Sequence, residues 1–518
     1  MLEEVVQKVN DALVAPAGGS WLQSCLVGVA TVVSVLVVLE QYSLWRKTQG
    51  LPGPRFFYPF LGNVLHMVFH PFAFWDAQDK YGPLSWNVLV GQLFFFTQDS
   101  SLSRQVFNNS SNNTLQIVLN LNGERLMGKN NMAFMQGEAH KNLRKQLLPL
   151  FIRKALAKYV NIQENTIREH IKAWLEEQAQ KNERGEGPIE VRPLIRDLNL
   201  ETSQRVFVGP YLTSKTAAEF REFYGTMNDA LLALPFNFPG TTLWKGIRAR
   251  KRIVSLLEEC ARQSKQRMRE GHEPECLLDF WMVDTVKAIQ EAEEKGAPAP
   301  EHSSDNDVAC TVLDFLFASQ DASSASLTWA CHFLARHKDV LQRVRDEVEH
   351  FFKASTQNLT PEMLTSMTYT RQVIKEVLRI RAPATLVPHK ALKDFQLKDD
   401  NLGIDVTVPK GSLVIPSVFS SSFQGFEDPH RFDPERFNSE RQEDRKHSQH
   451  YLVFGAGPHR CIGYEYAMLH LTGFVVLFSS LCDFERVETP TSDEIVYGPT
   501  IYPGDGALLN ISPRLSVA

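Results

Sequence analysis

Ten residues near the C-terminus, "FGAGPHRCIG" (residues 454–463), set one cysteine, Cys461, in a loop with three glycines and a proline. An apolar run, "YEYAMLHLTGFVVLF", follows at once, so the thiol stands at a helix N-terminus, where the macrodipole and free N–H groups favour thiolate. Gly457 and Gly463 let the backbone approach a flat ligand closely. A thiolate with one open face is the donor that axial ligation of haem iron requires, and N–H groups aimed at its sulfur tune the metal. A lone cysteine is more often a buried structural residue. The glycine pattern is what separates this one from that reading.

A second stretch, "FLFASQDASSAS" (residues 315–326), lies in thirty residues, 308–337, without Gly or Pro and largely apolar at helical spacing. They predict one long buried helix. A carboxylate at its centre, Asp321, is costly unless partnered.

The elements that must position these residues are mostly helical. Helical patterns run over 71–81, 137–159, 162–181, 198–207 and 253–269, while "LSWNVL", "LFFFT", "VTVPKGSLVI" and "GALLNISP" read as short strands. The expected class is mainly α with small sheets. Residues 293–307, polar and Pro-containing, read as an exposed loop. At the N-terminal end, residues 21–39, "WLQSCLVGVATVVSVLVVL", carry no charge and approach the roughly 20 residues that span a bilayer. Glu3, Glu4 and Asp11 precede the run and Arg46 and Lys47 follow it, which favours a signal anchor over a cleaved signal peptide and puts the bulk of the chain on the cytosolic side. The expected organisation is a lumenal segment 1–20, a transmembrane anchor 21–39, a basic, Pro-rich connector 40–62 and a catalytic domain 63–518.

The bulk composition is that of an ordinary globular protein of 518 residues, 43% hydrophobic and 22% charged. A net charge of −5 supplies no general attraction for nucleic acid. Seven cysteines without a CxxC pair are neither a disulfide framework nor a zinc site, and fit a reducing compartment.

The chain resembles the cytochrome P-450 family of haem-thiolate monooxygenases from the connector to the C-terminus. The cysteine loop of that family reads F, G, x, G, x, Arg or His, x, C, x, G, and each fixed position is met by Phe454, Gly455, Gly457, His459, Cys461 and Gly463. The resemblance implies the P-450 fold, haem b with Cys461 as its axial iron ligand, and His459 on a propionate. "KEVLR" puts Glu376 and Arg379 on one helical face; Glu259 and Arg262 share that spacing, so the motif gains weight only from the "FDPERF" that follows it. With Arg436 of that segment, the two are implied to form a buried structural network. The family's Trp, three residues, Arg appears here as "HKNLR", with His140 in place of the Trp and Arg144 retained, both expected at the propionates together with His389.

In this family the long helix crosses the distal face of the haem. Its usual Ala or Gly, Gly, x, acid, Thr appears here as Ala318, Ser319, Gln320, Asp321, Ala322. Asp321 keeps the acid, Ser319 stands for the glycine and Ala322 for the threonine, with Ser323 about 100° further around the helix. Asp321 is expected to relay protons; Ser323, so placed, cannot simply replace the absent hydroxyl, and a bound water, Ser319 or the substrate itself is expected in its stead. "FLFASQDAS", "HKNLR" and "VPH" together resemble the sterol C-22 desaturases of plants, algae and fungi. That resemblance implies removal of hydrogen across C-22 and C-23 of a sterol side chain in sterol biosynthesis. It also implies O2 and NADPH as co-substrates, NADPH-cytochrome reductase as electron donor, and the endoplasmic reticulum membrane as location. Two other readings stay open: a P-450 hydroxylase of a sterol or other terpenoid, and a haem-thiolate lyase or dehydratase that does not activate oxygen. Residues 231–253, apolar then basic, fit contact with membrane lipid. Residues 113–123, 382–388 and 498–506 occupy substrate-lining positions of the family.

Overall fold

The uncharged N-terminal run lies within helix α1 (Trp21–Thr48), 28 residues and so about 42 Å long. Its Leu26, Val29, Val32 and Leu36 point outward, and among its described side chains only Leu44 and Thr48, near its end, are buried. An apolar helix whose apolar side chains find no protein partner is what a bilayer, not a core, accommodates. The carboxylate of Glu40 accepts the Phe60 N–H at 3.0 Å and ties α1 to the Pro-rich connector. The structure is a computed structural model describing residues 21–48, 50–110, 112–119, 122–498 and 500–514. The expected lumenal segment 1–20 lies outside the described residues.

The chain divides into two compact units. The smaller holds residues up to Gln98 and Lys390–Ile415. In it, Leu84–Leu89 and Gln92–Thr97 form an antiparallel hairpin in the register Leu84↔Thr97. Its two-residue turn has positive φ at both Val90 and Gly91, the turn whose twist matches that of paired strands. A second hairpin pairs Phe395–Asp399 with Ile404–Val408.

The larger unit, Asp99–His389 with the chain from Pro416 onward, carries the helices and one continuous apolar core. Helix α2 (Gly137–Leu147) holds His140 and Arg144. The helical pattern expected over 137–159 is interrupted there: Pro149 lacks the N–H that an α-helix interior needs, a 3₁₀ turn spans Leu148–Phe151, and a new helix runs Arg153–Arg184. Helix α3 (Val191–Ser203) continues into a wide turn over Gln204–Val208. Helix α4 (Asp305–Arg336) is the long helix of the polar run, capped by Ser304 Oγ accepting the Asp307 N–H at 3.1 Å. Helix α5 (Thr368–Ile380) bears Glu376 and Arg379, and α6 (Tyr464–Leu481) leaves the cysteine loop and is buried almost all round. A three-stranded antiparallel sheet, Ile189–Glu190, Leu508–Pro513 and Cys482–Arg486, closes one side of this unit.

Candidate functional site

The cysteine loop is held by its own backbone. The Cys461 N–H donates to the Phe454 carbonyl at 2.9 Å and the Gly455 N–H to that of Leu452 at 2.8 Å. Gly455 and Gly457 have φ of +69° and +66°. At Gly457 a Cβ would stand 2.5 Å from the Phe107 carbonyl oxygen, so no other residue fits. At Gly463 a Cβ would meet nothing within 4 Å, although the residue lines a cavity. That cavity, ≈ 300 Å³, is walled on one side by Phe454, Gly455, His459, Cys461 and Gly463 and on another by Ala318, Ser319, Ala322 and Ser323 of α4. Pro383, Ala384 and Val387 complete an almost wholly apolar lining.

Cys461 is exposed and lines this cavity. Burial raises its thiol pKa, opposed by an N–H from Gly463 and by the Arg144 and Arg460 cations. Burial thus outweighs the helix-terminus effect expected from the sequence and favours the neutral thiol, a balance that a bound metal cation would reverse. Helix α2 brings His140 over His459, ring centroids 3.9 Å apart. Burial lowers the pKa of both, with Arg144 contributing; His459 falls to about 3. His389 is fully buried, its Nδ1–H donating to the Val387 carbonyl at 2.7 Å, and its pKa is lowered to about 4. The Nε2 atoms of His140, His389 and His459 are all buried without a hydrogen-bond partner. The guanidinium of half-buried Arg144 makes no hydrogen bond or ion pair with another described residue. A native interior seldom leaves so many polar groups unmatched. Three orphaned imidazole nitrogens, an unpaired guanidinium, a cavity-facing thiol and a glycine wall fit a flat iron porphyrin with two carboxylates.

The polar run of α4 divides between two surroundings. Ser319, Ala322 and Ser323 line the cavity; Asp321 does not, and turns to α3, where its Oδ1 meets Arg196 at 3.3 Å. Burial raises the Asp321 pKa, while Arg196 and Arg192 oppose the rise, and its Oδ2 is left without a partner. The neighbouring positions also meet α3. Gln320 Nε2 donates to the Arg196 carbonyl at 2.8 Å, Ser319 Oγ lies 2.9 Å from Ser203 Oγ, and Asn199 Nδ2 donates to Ser324 Oγ at 2.9 Å. Arg196, Asn199 and Ser203 sit at i, i+3, i+7, one face of α3. Most of the run is thus an interhelical seam. The Ser323 hydroxyl stands apart, on the cavity wall with no hydrogen bond to another described residue.

Behind the cysteine loop, Glu376, Arg379 and Arg436 meet as a fully buried network. Arg379 donates to both Glu376 oxygens at 2.7 and 2.9 Å, and Arg436 Nε to Glu376 Oε1 at 3.0 Å. Sequence reasoning missed its outer members. Glu443 accepts from Arg436 at 3.3 Å, and Arg441 bridges Glu443 and Asp433. It also missed Arg196, Asn199 and Ser203, whose signal was a polar stripe at helical spacing in "VRPLIRDLNLETS".

The sequence model described as Cytochrome P450 matches residues 51–500. Cytochrome P450 710A3 of Arabidopsis thaliana is 42% identical over 93% of this chain and 95% of its own length. A C-22 sterol desaturase, ERG5A, of Gibberella zeae is 33% identical over 94% of this chain and 91% of its own. Among solved structures, a cyanobacterial CYP120A1 with retinoic acid bound superposes with a TM-score of 0.74 at 24% identity, covering 89% of this chain and 99% of that one. That likeness concerns the fold. The family carries haem on a cysteine thiolate and takes electrons from a redox partner. With the cysteine loop, the buried Glu376 network and this extent of similarity together, the chain belongs to the cytochrome P450 family of haem-thiolate monooxygenases.

Proposed function

We propose that the protein is a sterol C-22 desaturase. The observation that carries the reading is the 33% identity, over more than nine-tenths of both chains, to relatives named C-22 sterol desaturases in Gibberella zeae and Aspergillus fumigatus. The cavity wall supports it: an alanine, Ala322, occupies the usual threonine position, and the lining is apolar as a sterol requires.

In this reading the Cys461 thiolate would ligate the iron, and His140, Arg144, His389 and His459 would hold the two propionates of haem b. When bound, the haem supplies the oxidising chemistry by which O2, NADPH and a proton convert the C-22, C-23 single bond to an alkene with two waters. Phe454, Gly455 and Gly463 bound its face. Asp321, whose carboxyl pKa burial raises against the pull of Arg196 and Arg192, is the acid beside the distal wall, and the unengaged Ser323 hydroxyl is the group that can pass a proton into the cavity. Ser319 is already committed, to Ser203 and to the Leu316 carbonyl at 3.2 Å. Glu376, Arg379 and Arg436 hold the cysteine side of the unit.

Residues 21–39 act as signal anchor in the endoplasmic reticulum membrane, with 1–20 lumenal, 40–62 as connector and 63–518 as a cytosolic catalytic domain that receives electrons from NADPH-cytochrome reductase. Arg46 and Lys47 after the apolar run support this orientation. The test is a reconstituted incubation with reductase, NADPH, O2 and a panel of 24-alkyl sterols, read by mass spectrometry. A new C-22 double bond is expected, and Ala322→Thr is expected to shift product toward alcohol. A hydroxylated sterol as the sole wild-type product would overturn the desaturase reading and leave the family assignment standing.

A further inference from the structure

One buried chain of hydrogen bonds joins the helix that leaves the cysteine loop to the helix that forms the opposite cavity wall. His470 Nε2 lies 2.7 Å from Asn199 Oδ1, Asn199 Nδ2 donates to Ser324 Oγ at 2.9 Å, and Ser324 Oγ donates to the Gln320 carbonyl at 2.7 Å. His470, Asn199 and Ser324 are each at least nine-tenths buried. Donor counting gives the chain a direction. Ser324 has one hydroxyl proton and gives it to Gln320, so it accepts from the Asn199 amide, whose oxygen must then accept from His470. His470 is therefore the Nε2–H tautomer, and its Nδ1, buried without a partner, is the bare lone pair.

The three residues stand where a small displacement matters. His470 is in the second turn of α6, which begins three residues after Cys461, and its neighbours Tyr466, Ala467 and Leu471 line the cavity. Ser324 adjoins Ser323 on the cavity wall. Ser324, Ser326 and Thr328 each donate to the carbonyl four residues earlier, the back-bonding that bends helices. Asn199 is the link between these two walls. An amide offers an acceptor and a donor on one planar group, so its length sets the spacing between them, which no apolar contact of similar volume does as sharply.

We propose that Asn199, clamped between His470 and Ser324, is a positioning residue that sets the distance of the Ala322–Ser323 wall from the Cys461 side of the cavity. The proposal rests on the family's haem-thiolate chemistry and not on the sterol reading. The test uses full-length holoprotein with paired substitutions. His470→Leu removes the donor, whereas His470→Gln keeps an N–H where Nε2 stood; Ser324→Ala removes the far end of the chain by deleting one hydroxyl. The first readout needs no substrate: the C–O stretching frequency of the reduced, carbon monoxide-bound protein, which senses the polarity and crowding of the distal wall. A shifted or split band is expected in His470→Leu and in Ser324→Ala, and the wild-type band in His470→Gln. Substrate-dependent NADPH oxidation should then yield on the order of tenfold less product per NADPH in the Leu variant, with the Gln variant close to wild type. Equal bands in the Leu and Gln variants would overturn the proposal, as would a wild-type band in Ser324→Ala. If His470→Leu fails to hold haem, Ser324→Ala decides alone: a shifted band supports the clamp and an unchanged one refutes it.

Discussion

Two groups of charges in the larger unit are built on opposite terms. Around Glu376 every charge is matched: its carboxylate accepts from Arg379, from Arg436 and from the Asp433 N–H at 2.9 Å, and the guanidiniums spend their remaining donors on carbonyls such as Ser422 and Asp428. Around Asp321 the match is partial: one oxygen meets Arg196, itself a third exposed, and the other meets nothing. A saturated buried network has one arrangement and holds it, because removing any member strands a charge in low dielectric. A half-satisfied carboxylate with a raised pKa can exchange a proton at modest cost, which is what a relay needs. In the proposed function the first group keeps the shape of the site and the second is the part that changes state.

Breaking the first group should have the largest effect. Glu376→Ala leaves Arg379 and Arg436 buried without their carboxylate, and a loss on the order of 3–5 kcal/mol is expected. Haem incorporation and the thermal midpoint are the measurements, and a variant that folds and binds haem normally would show that the network is dispensable. Asp321→Asn is the converse case. Haem content should stay at the wild-type level while turnover falls on the order of a hundredfold, and loss of haem instead would place Asp321 with the structural charges.

Asp314 sharpens the comparison, because it is a half-buried carboxylate on α4 that is well bonded, accepting from the Asn131 side chain and from the Met132 N–H at 3.1 Å. Burial lifts its pKa to about 8, with those two bonds and the Arg250 cation opposing. Its folded form holds the proton more tightly than the unfolded chain does, so its contribution to stability is greatest at acid pH and falls as pH rises from about 4 to about 8. Asp314→Asn should flatten that limb of a denaturation profile measured across pH, and an unaltered slope would assign the limb elsewhere. The smallest effect is expected at the rim of the Glu376 network. Arg441→Ala removes a partly exposed bridge to Asp433 and Glu443, and screening by solvent keeps the loss below about 1 kcal/mol. A larger loss, seen as a shift of the thermal midpoint, would extend the saturated network to its edge.

Much of this was legible in the chain, for reasons that differ from residue to residue. The cysteine loop could be read because its glycines answer local demands: Gly457 faces the Phe107 carbonyl and has positive φ, and neither condition tolerates a side chain. Glu376, Arg379 and Arg436 could be read because "KEVLR" and "FDPERF" follow one another as in the family the chain resembles; the i, i+3 spacing alone, shared by Glu259 and Arg262, would not have singled them out. The members supplied by distant segments, Glu443, Asp433 and Arg441, could not, since their carboxylates and guanidiniums carry no spacing relative to Glu376. The helical pattern over 137–159 overran Pro149, whose missing N–H gives way to a 3₁₀ turn over Leu148–Phe151 and a fresh helix from Arg153.

The sequence by itself determined which residue carries the thiol, that an apolar helix precedes the rest of the chain, and that a polar run interrupts a buried helix. Periodicity, glycine chemistry and charge are properties of short segments and survive without a fold. Only the tertiary structure decided which way that run faces. Asp321 and Ala322 are adjacent in the chain, but a helix turns about 100° between them. Whether the carboxylate meets the cavity or the stripe of Arg196, Asn199 and Ser203 depends on where α3 crosses α4, a relation between two segments separated by more than a hundred residues that no pattern within either one encodes.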